Sequence, residues 1–300
     1  MPALEGHVIH TTNLTKKYGK NTALNNVNIE VGNSGITAIL GENGAGKTTF
    51  IHACLGLIKA THGQISMFGL PPGKLTSRRR TGVMLQDADL PDLLTPREHI
   101  TLFASYYPAP LSLDDVLDMC KLTTLADKKY GKLSGGQKRR VQFALAIIGN
   151  PDLVFLDEPT TGLDTDTRRM LWDVVRKLAE DGRTVILTTH YLEEADALAD
   201  RIIVMNAGEI IADAPTPEIR ALAGGAIIKC VTNLSVKAIH KLPDVKSVRK
   251  TGRFVEISTQ NQASTLQGLL AADINASELV VKKPSLEEAF DQIIHNQEQA

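Results

Sequence analysis

The sequence predicts an α/β fold built on a parallel sheet, with a helical insertion and a smaller α+β domain behind it. Three observations point there. An apolar, strand-like run, Gly35-Ile36-Thr37-Ala38-Ile39-Leu40, enters the glycine-rich stretch Gly41-Glu42-Asn43-Gly44-Ala45-Gly46-Lys47-Thr48-Thr49. A helix-compatible run follows, with Ile51, Leu55 and Ile58 on one face. Further on, Leu153-Val154-Phe155-Leu156 and Thr184-Val185-Ile186-Leu187-Thr188-Thr189 read as buried parallel strands that end on Asp157-Glu158 and on His190. Past Pro215 and Pro217 this pattern stops, and a β-α-β-β-α-β order begins.

In chain order, residues 7–13 and 22–31 are expected as strands joined by the polar turn Lys16–Lys20. After the glycine-rich loop and its helix, Gly63–Gly69 is a short strand, 70–80 a Pro/Gly/Arg-rich loop, and Gly82-Val83-Met84-Leu85 a strand that ends on Gln86. The texture then changes. Thr95-Pro96-Arg97-Glu98 has an N-cap, a proline at the first helical position and an acid at the third, and Ser112-Leu113-Asp114-Asp115 repeats the box with Asp. Residues 87–150 are therefore expected to be a mainly helical insertion. Leu171, Val174, Val175 and Leu178 mark a helix before the strand at 184–189, and Asn206-Ala207-Gly208 marks a hairpin. The expected domains are 1–217 and 222–300. In the second, strands are expected at 226–232, 245–250, 253–258 and 278–282, and helices at 235–241, 262–271 and 285–295, the ferredoxin-like order. Nothing there gathers charge or glycine around a ligand, so it reads as a cap or a dimer contact.

Composition narrows the class. Of 300 residues 22% are charged, and the formal net charge of -1 provides no field to recruit nucleic acid or an anionic bilayer. The runs Arg78-Arg79-Arg80 and Lys138-Arg139-Arg140 read as solvated faces. Cys54, Cys120 and Cys230 are odd in number and widely spaced, which fits small apolar side chains in a reducing compartment better than disulfides or zinc ligands. The N-terminus lacks the basic and apolar regions of a signal peptide, and no run approaches the ~18–20 apolar residues of a membrane helix. A soluble chain that reaches any membrane through a partner is expected.

Strand, glycine loop and helix together make a phosphate cradle. The glycines permit backbone angles that let successive N–H groups and the helix N-terminus face one anion. Lys47 is expected to reach the β- and γ-phosphates of a nucleotide, and the Thr48 hydroxyl to hold Mg²⁺. Asp157 and Glu158 are adjacent on a strand end and point in different directions. Asp157 is assigned to the metal and Glu158 to the general base; the bland reading is an acid pair capping the next turn. His190, at another strand end, could donate to a γ-phosphate or be structural. Gln86 has an amide that could both ligate Mg²⁺ and hydrogen-bond water. Tyr18 could be packing or a stacking face for a base. Ser134 and Gly135-Gly136, ahead of a helix with Val141, Ala144, Leu145 and Ile148 on its apolar face, form either a second anion-binding surface or an ordinary capped helix. One chain with one nucleotide does not need two cradles, so the second would serve a nucleotide held by another copy.

Leu133-Ser134-Gly135-Gly136-Gln137 matches all five positions of the signature of ATP-binding cassette (ABC) ATPases, and the chain resembles that family from about residue 7 to 215 in unbroken order. The resemblance implies the ABC-type phosphate-loop fold with an antiparallel β-subdomain. It implies adenine stacking on Tyr18, a Walker A loop at 41–48, a Q-loop at Gln86, a Walker B strand at 153–158, a D-loop at Gly162-Leu163-Asp164 and a switch histidine at His190. Asp164 is a site candidate on this ground alone. Gly162 stands where many relatives have serine or alanine, and Glu42 where many have proline. The implied activity is Mg²⁺-dependent ATP hydrolysis by two head-to-tail copies, coupled to an integral-membrane permease in a separate chain at the cytoplasmic face. His190–Asp196 and Pro284–Phe290 resemble the drug, antibiotic and lipid exporter subunits. The tail is too short for the regulatory domain of the sugar importers, which leaves an importer subunit as the alternative within transport. A soluble ABC ATPase on a nucleic-acid or ribosomal partner usually has two cassettes in one chain or a long coiled coil. An adaptor that only binds ATP would have lost Lys47 or Glu158.

Overall fold

Two twelve-residue strands, β1 (His7–Tyr18) and β2 (Asn21–Gly32), open the chain as an antiparallel hairpin. The computed structural model describes residues 7–86, 88–222, 225–282 and 285–298, with side chains through 294 in the last stretch. The expected turn at Lys16–Lys20 is shorter than the polar residues suggest. Lys16, Lys17 and Tyr18 still pair with Leu24, Thr22 and Asn21, across register shifts that let the strand bend. The lysines stay in the strand because both find partners at its surface, Lys17 through its backbone N–H to Thr61 Oγ1 at 3.0 Å and Lys16 through its ammonium. Lys16 Nζ donates to Lys59 O at 2.8 Å and lies 4.8 Å from the Tyr18 ring centre.

The elements that follow are β3 (Gly35–Leu40), α1 (Lys47–Cys54), β4 (His62–Met67), the single turn α2 (Leu75–Arg78) and β5 (Thr81–Met84). Helix α1 is shorter than its apolar spacing implies. Leu55 is its C-cap and Ile58 lies beyond it, because Gly56 turns the chain at φ 69°. The insertion carries α3 (Pro96–Ala104), α4 (Leu113–Met119) and α5 (Gly135–Ile147). At Thr95 the capping box closes in both directions, with Glu98 N–H donating to Thr95 Oγ1 at 3.2 Å and Thr95 N–H to Glu98 Oε2 at 2.8 Å. At Ser112 only the hydroxyl's half forms, since Asp115 is one methylene shorter than Glu.

Then come β6 (Leu153–Asp157), α6 (Thr165–Glu180), β7 (Thr184–Thr189), α7 (Leu192–Leu198), β8 (Arg201–Asn206) and β9 (Glu209–Pro215). The main sheet has the order β5-β6-β7-β3-β8-β9, and its pairs from β5 through β8 are parallel. A second sheet, β2-β1-β4, is antiparallel. One core joins them, with Phe50, Ile51 and Cys54 of α1 packed among Leu14, Leu24 and Ile29 on one side and Ile39, Phe155 and Ile186 on the other. Every residue of β6 and β7 is buried, as strands covered on both faces must be. Parallel strands all present their carboxyl ends at one edge, where α/β sheets place their ligands.

The chain divides into two compact units, Met1–Asp213 and Ala214–Ala300. The second begins with α8 (Thr216–Leu222), which the two prolines obscure in the sequence and which packs on α11 (Leu286–Glu298). Between them lie β10 (Ala226–Val231), α9 (Val236–Ile239), β11 (Val245–Thr251), β12 (Phe254–Thr259), α10 (Gln262–Ala272) and β13 (Ser277–Lys282). Their sheet is antiparallel, in the order β11-β12-β10-β13, over a core of Ile228, Cys230, Ile239, Val255, Ile257 and Leu269. That is the strand order of the ferredoxin-like arrangement. All three cysteines are free and buried, and burial holds the Cys120 thiol up at about 12. Among the described residues, no helix is long and apolar enough to cross a membrane.

Candidate functional site

The glycine-rich loop runs from the end of β3 into α1 as a turn whose shape requires glycine. Gly46 sits at φ 106°, and a Cβ there would lie 2.6 Å from Ala23 O, so the loop passes against β2 with no room for a side chain. Lys47 is buried in the hollow of the loop, and its Nζ donates to Gly41 O at 2.6 Å and to Glu42 O at 3.0 Å. Burial pulls the Lys47 ammonium below its ordinary value, and the neighbouring Glu158 and Asp157 carboxylates oppose that. A cation dehydrated in this way is matched to an anion that replaces the lost water.

At the carboxyl edge of the sheet, Thr48 Oγ1 donates to Asp157 Oδ2 at 3.1 Å, and Thr188 Oγ1 donates to the other Asp157 oxygen. Glu158 is buried and holds φ 47°, a left-handed conformation that costs a non-glycine residue of order 1–3 kcal/mol. Its N–H donates to Thr188 O at 3.0 Å. Its carboxylate is gripped at both oxygens. His190 Nδ1 lies 3.1 Å from Oε1, while Gln86 Nε2 and Thr161 Oγ1 donate to Oε2 at 3.2 and 3.3 Å.

A cavity of about 610 Å³ gathers Tyr18, Asn43, Gly44, Gly46, Lys47, Thr48, Thr49, Gln86 and Glu158, with Asn21, Thr22, Ala23 and Ala207 completing its wall. The volume suits a nucleotide-sized ligand. Gly41, Ala45 and Asp157 are buried and lie outside this lining. The half-exposed face of Tyr18 (49%) is on hand for stacking. The structure leaves the second set of candidates outside this cavity. Ser134 caps α5 through a reciprocal box with Gln137, its N–H donating to Gln137 Oε1 at 3.0 Å. Gly135 lines a separate cavity with Gln86, Thr161 and Gly162, and Gly136 is half-buried. Asp164 caps α6, accepting from Thr167 N–H at 2.8 Å and from the Thr167 hydroxyl at 2.9 Å, and these bonds hold its carboxyl below the ordinary range.

Three features escape a sequence reading. The first is Arg139, whose guanidinium points inward to backbone carbonyls rather than to solvent, so the basic run 138–140 is not one solvated face. The other basic run, Arg78-Arg79-Arg80, is exposed as expected, with Arg80 pairing at the surface with Asp152 at 2.6 Å and lying 3.9 Å from the Phe68 ring centre. The second is Thr188, which donates to the Asp157 carboxylate and accepts from the Glu158 N–H but sits in a strand as an ordinary β-branched residue. The third is Glu194, buried one turn after His190 with Oε1 accepting from Trp172 Nε1 at 3.1 Å. Burial raises its carboxyl above the ordinary value of 4.5, outweighing the Trp172 donor. A folded-state value above the unfolded one means the native protein holds more protons. This contribution is present below pH 4.5 and is lost as pH rises through the raised value. Glu194→Gln should therefore gain in Tm relative to the parent as pH rises from 4 to 8, with the two converging at the acid end. A pH-independent difference would refute the burial argument.

An oxygen-only pair, Thr48 and Asp157, within 3.1 Å of each other fits Mg²⁺, which takes one or two protein oxygens beside phosphate and water. Gln86 supplies a further amide oxygen nearby. Residues 24–161 match the family described as ABC transporter. The chain is 34% identical to a daunorubicin resistance ATP-binding protein of Streptomyces coeruleorubidus, over 92% of either chain. It is 39% identical to the Nod factor export ATP-binding protein I of Burkholderia orbicola, over 72% of this chain and 74% of that one. Among solved structures it is similar to the ATP-binding subunit of an ABC transporter (TM-score 0.66, 28% identity, covering 71% of this chain and 92% of that one). It is also similar to a dimeric ATP-binding cassette in a post-hydrolysis state with ADP and Pi (TM-score 0.64, 30% identity, 69% and 98%).

Proposed function

We propose, since the chain belongs to the ABC transporter family of ATP-binding proteins, that it is the ATP-hydrolysing subunit of an exporter and works on a membrane permease encoded as a separate chain. The observation that carries the chemistry is the Glu158 carboxylate, held between His190 and Gln86 and opening on the same cavity as Lys47 and Thr48. The export direction rests on the relatives, whose names are those of drug-resistance and Nod factor export proteins.

In this reading the adenine stacks on Tyr18 and the phosphates lie along the N–H groups of Asn43–Thr49. Lys47 leaves its two carbonyl partners for the β- and γ-phosphates, a charge-assisted exchange favoured by its burial. Thr48, Asp157 and Gln86 would hold Mg²⁺, which neutralises phosphate charge and orients the leaving group. Glu158 takes the proton of the attacking water as general base, and His190 donates to the γ-phosphate. Gln86 and His190 fix the carboxylate so that one lone pair faces the water.

Ser134 to Gln137 and Asp164, which lie outside the cavity, contact the nucleotide of a second copy arranged head to tail. Two such sites bias an open–closed equilibrium. Shifting it from mostly open to mostly closed takes about 5.5 kcal/mol of differential binding, about half from each nucleotide. Hydrolysis removes the bridge and reopens the pair.

Residues 87–107, which follow Gln86 directly, form most of the permease docking surface; Leu93, Leu102 and Tyr106 stand exposed there. With the permease reconstituted in vesicles, Leu93→Glu with Leu102→Glu should lower transport at least about tenfold. ATP hydrolysis by the isolated chain should stay within about twofold. Loss of nucleotide binding in that variant would overturn the assignment, and so would undiminished transport. Capture of a polytopic partner that needs no solute-binding protein supports export over import.

A further inference from the structure

We propose that Arg139 is a positioning residue for the hydrolytic step, setting the backbone that presents Glu158 and Gln86 and tying both to the start of α5. The proposal rests on the reading of Glu158 as general base. Arg139 lies five residues after Ser134, on the same helix that Ser134 caps. Its Nη2 donates to Glu158 O at 2.7 Å. Its Nη1 lies 3.1 Å from Gln86 O, 3.2 Å from Leu85 O and 3.1 Å from Gln142 Oε1. Gln142, on the next turn, completes the grip by donating from Nε2 to Ala88 O at 2.6 Å. The end of β5 and the end of β6 are thus held together through their carbonyls by one planar cation.

The geometry gives this a mechanistic meaning. Glu158 is in a left-handed conformation at φ 47°, which persists only where the surroundings over-determine it. Thr188 fixes its N–H, and Arg139 fixes its carbonyl. The side-chain bond between Gln86 and Glu158, 3.2 Å long, spans the two backbones that Arg139 joins. A displacement of the N-terminus of α5, where a partner's nucleotide would sit, therefore reaches Glu158 and Gln86 through a single side chain. A guanidinium reaches the two strand ends from two spaced nitrogens in a rigid plane, whereas an ammonium has its donors on one nitrogen and cannot hold both ends at these distances and angles.

The test uses the full chain with Arg139→Met and Arg139→Lys, each made also in the Glu158→Gln background. Equilibrium binding of a fluorescent ATP analogue, ATP turnover and Tm are measured for each. For Arg139→Met, kcat should fall at least about tenfold with KM for ATP within about twofold. Arg139→Lys should recover only part of the loss. In the Glu158→Gln background Arg139→Met should lower turnover by clearly less than in the parent, because the base it positions is already gone and only its hold on Gln86 is left to lose. A merely structural role predicts a lowered Tm with kcat per folded molecule unchanged, and that result overturns the proposal. So does a loss that multiplies with Glu158→Gln. If Glu158→Gln alone is fully active, the reading of the base fails, and the Arg139→Met result in the parent still decides whether Arg139 matters to turnover.

Discussion

Glu158→Gln should lower ATP turnover by about 10²- to 10⁴-fold, the range that a positioned general base contributes, while ATP affinity is kept or tightened. Glutamine has the shape of glutamate and can still accept one hydrogen bond from His190 or Gln86, so the pocket keeps its form. It cannot take a proton from water at neutral pH. It also removes a negative charge from beside the γ-phosphate, which favours the bound triphosphate. The two effects together should trap ATP in the closed pair. Single-turnover assays with radiolabelled ATP check the first effect, and dissociation of nucleotide from the isolated complex checks the second. Turnover at the parent rate would remove Glu158 from the reaction.

Ser134→Asp is expected to have the second-largest effect, and to act on a nucleotide that its own chain does not hold. Aspartate is as good an N-cap as serine, so the hydrogen bond from Gln137 N–H survives and α5 keeps its start. What changes is a negative charge at the mouth of the helix, facing the place where a partner's γ-phosphate would come. Turnover should fall at least about a hundredfold, as for loss of a preorganised donor set, with ATP binding to the single chain within about twofold. Ser134→Ala should be milder, because the Gly135-Gly136 backbone remains. If Ser134→Asp abolished binding to the single chain as well, the signature would belong to the chain's own site. Parent-level turnover would mean that it belongs to no site.

Much of this arrangement is legible in the chain because short-range chemistry dictates it. A loop that passes a backbone as closely as Gly46 passes Ala23 has to be glycine, and the strand before it has to be apolar to lie inside the sheet. Asp157, Glu158 and His190 show themselves by breaking such strands at one edge. The capping boxes at Thr95, Ser134 and Ser285 are local and read directly. Arg139, Thr188 and Glu194 are hidden for the opposite reason. Each acts through residues far away in the sequence: Arg139 through Leu85, Gln86 and Glu158, Thr188 through Asp157 and Glu194 through Trp172. Their residue types say nothing on their own. A basic helix turn, a strand threonine and an acid in a helix's first turn all have ordinary surface explanations. Strand β1 and helix α1 show the same limit in backbone terms. A lysine pair looks like a turn until its partners are known, and an apolar spacing continues past a helix that Gly56 has already ended.

The most direct measurement is the mass of the Glu158→Gln protein in solution, by light scattering, with and without ATP. ATP should convert the 32.5 kDa chain into a particle of twice that mass, and Ser134→Asp added to the same protein should prevent the conversion while ATP still binds. An ATP-saturated chain that stays at its single mass, or a doubled particle indifferent to Ser134→Asp, would contradict a nucleotide shared between two copies.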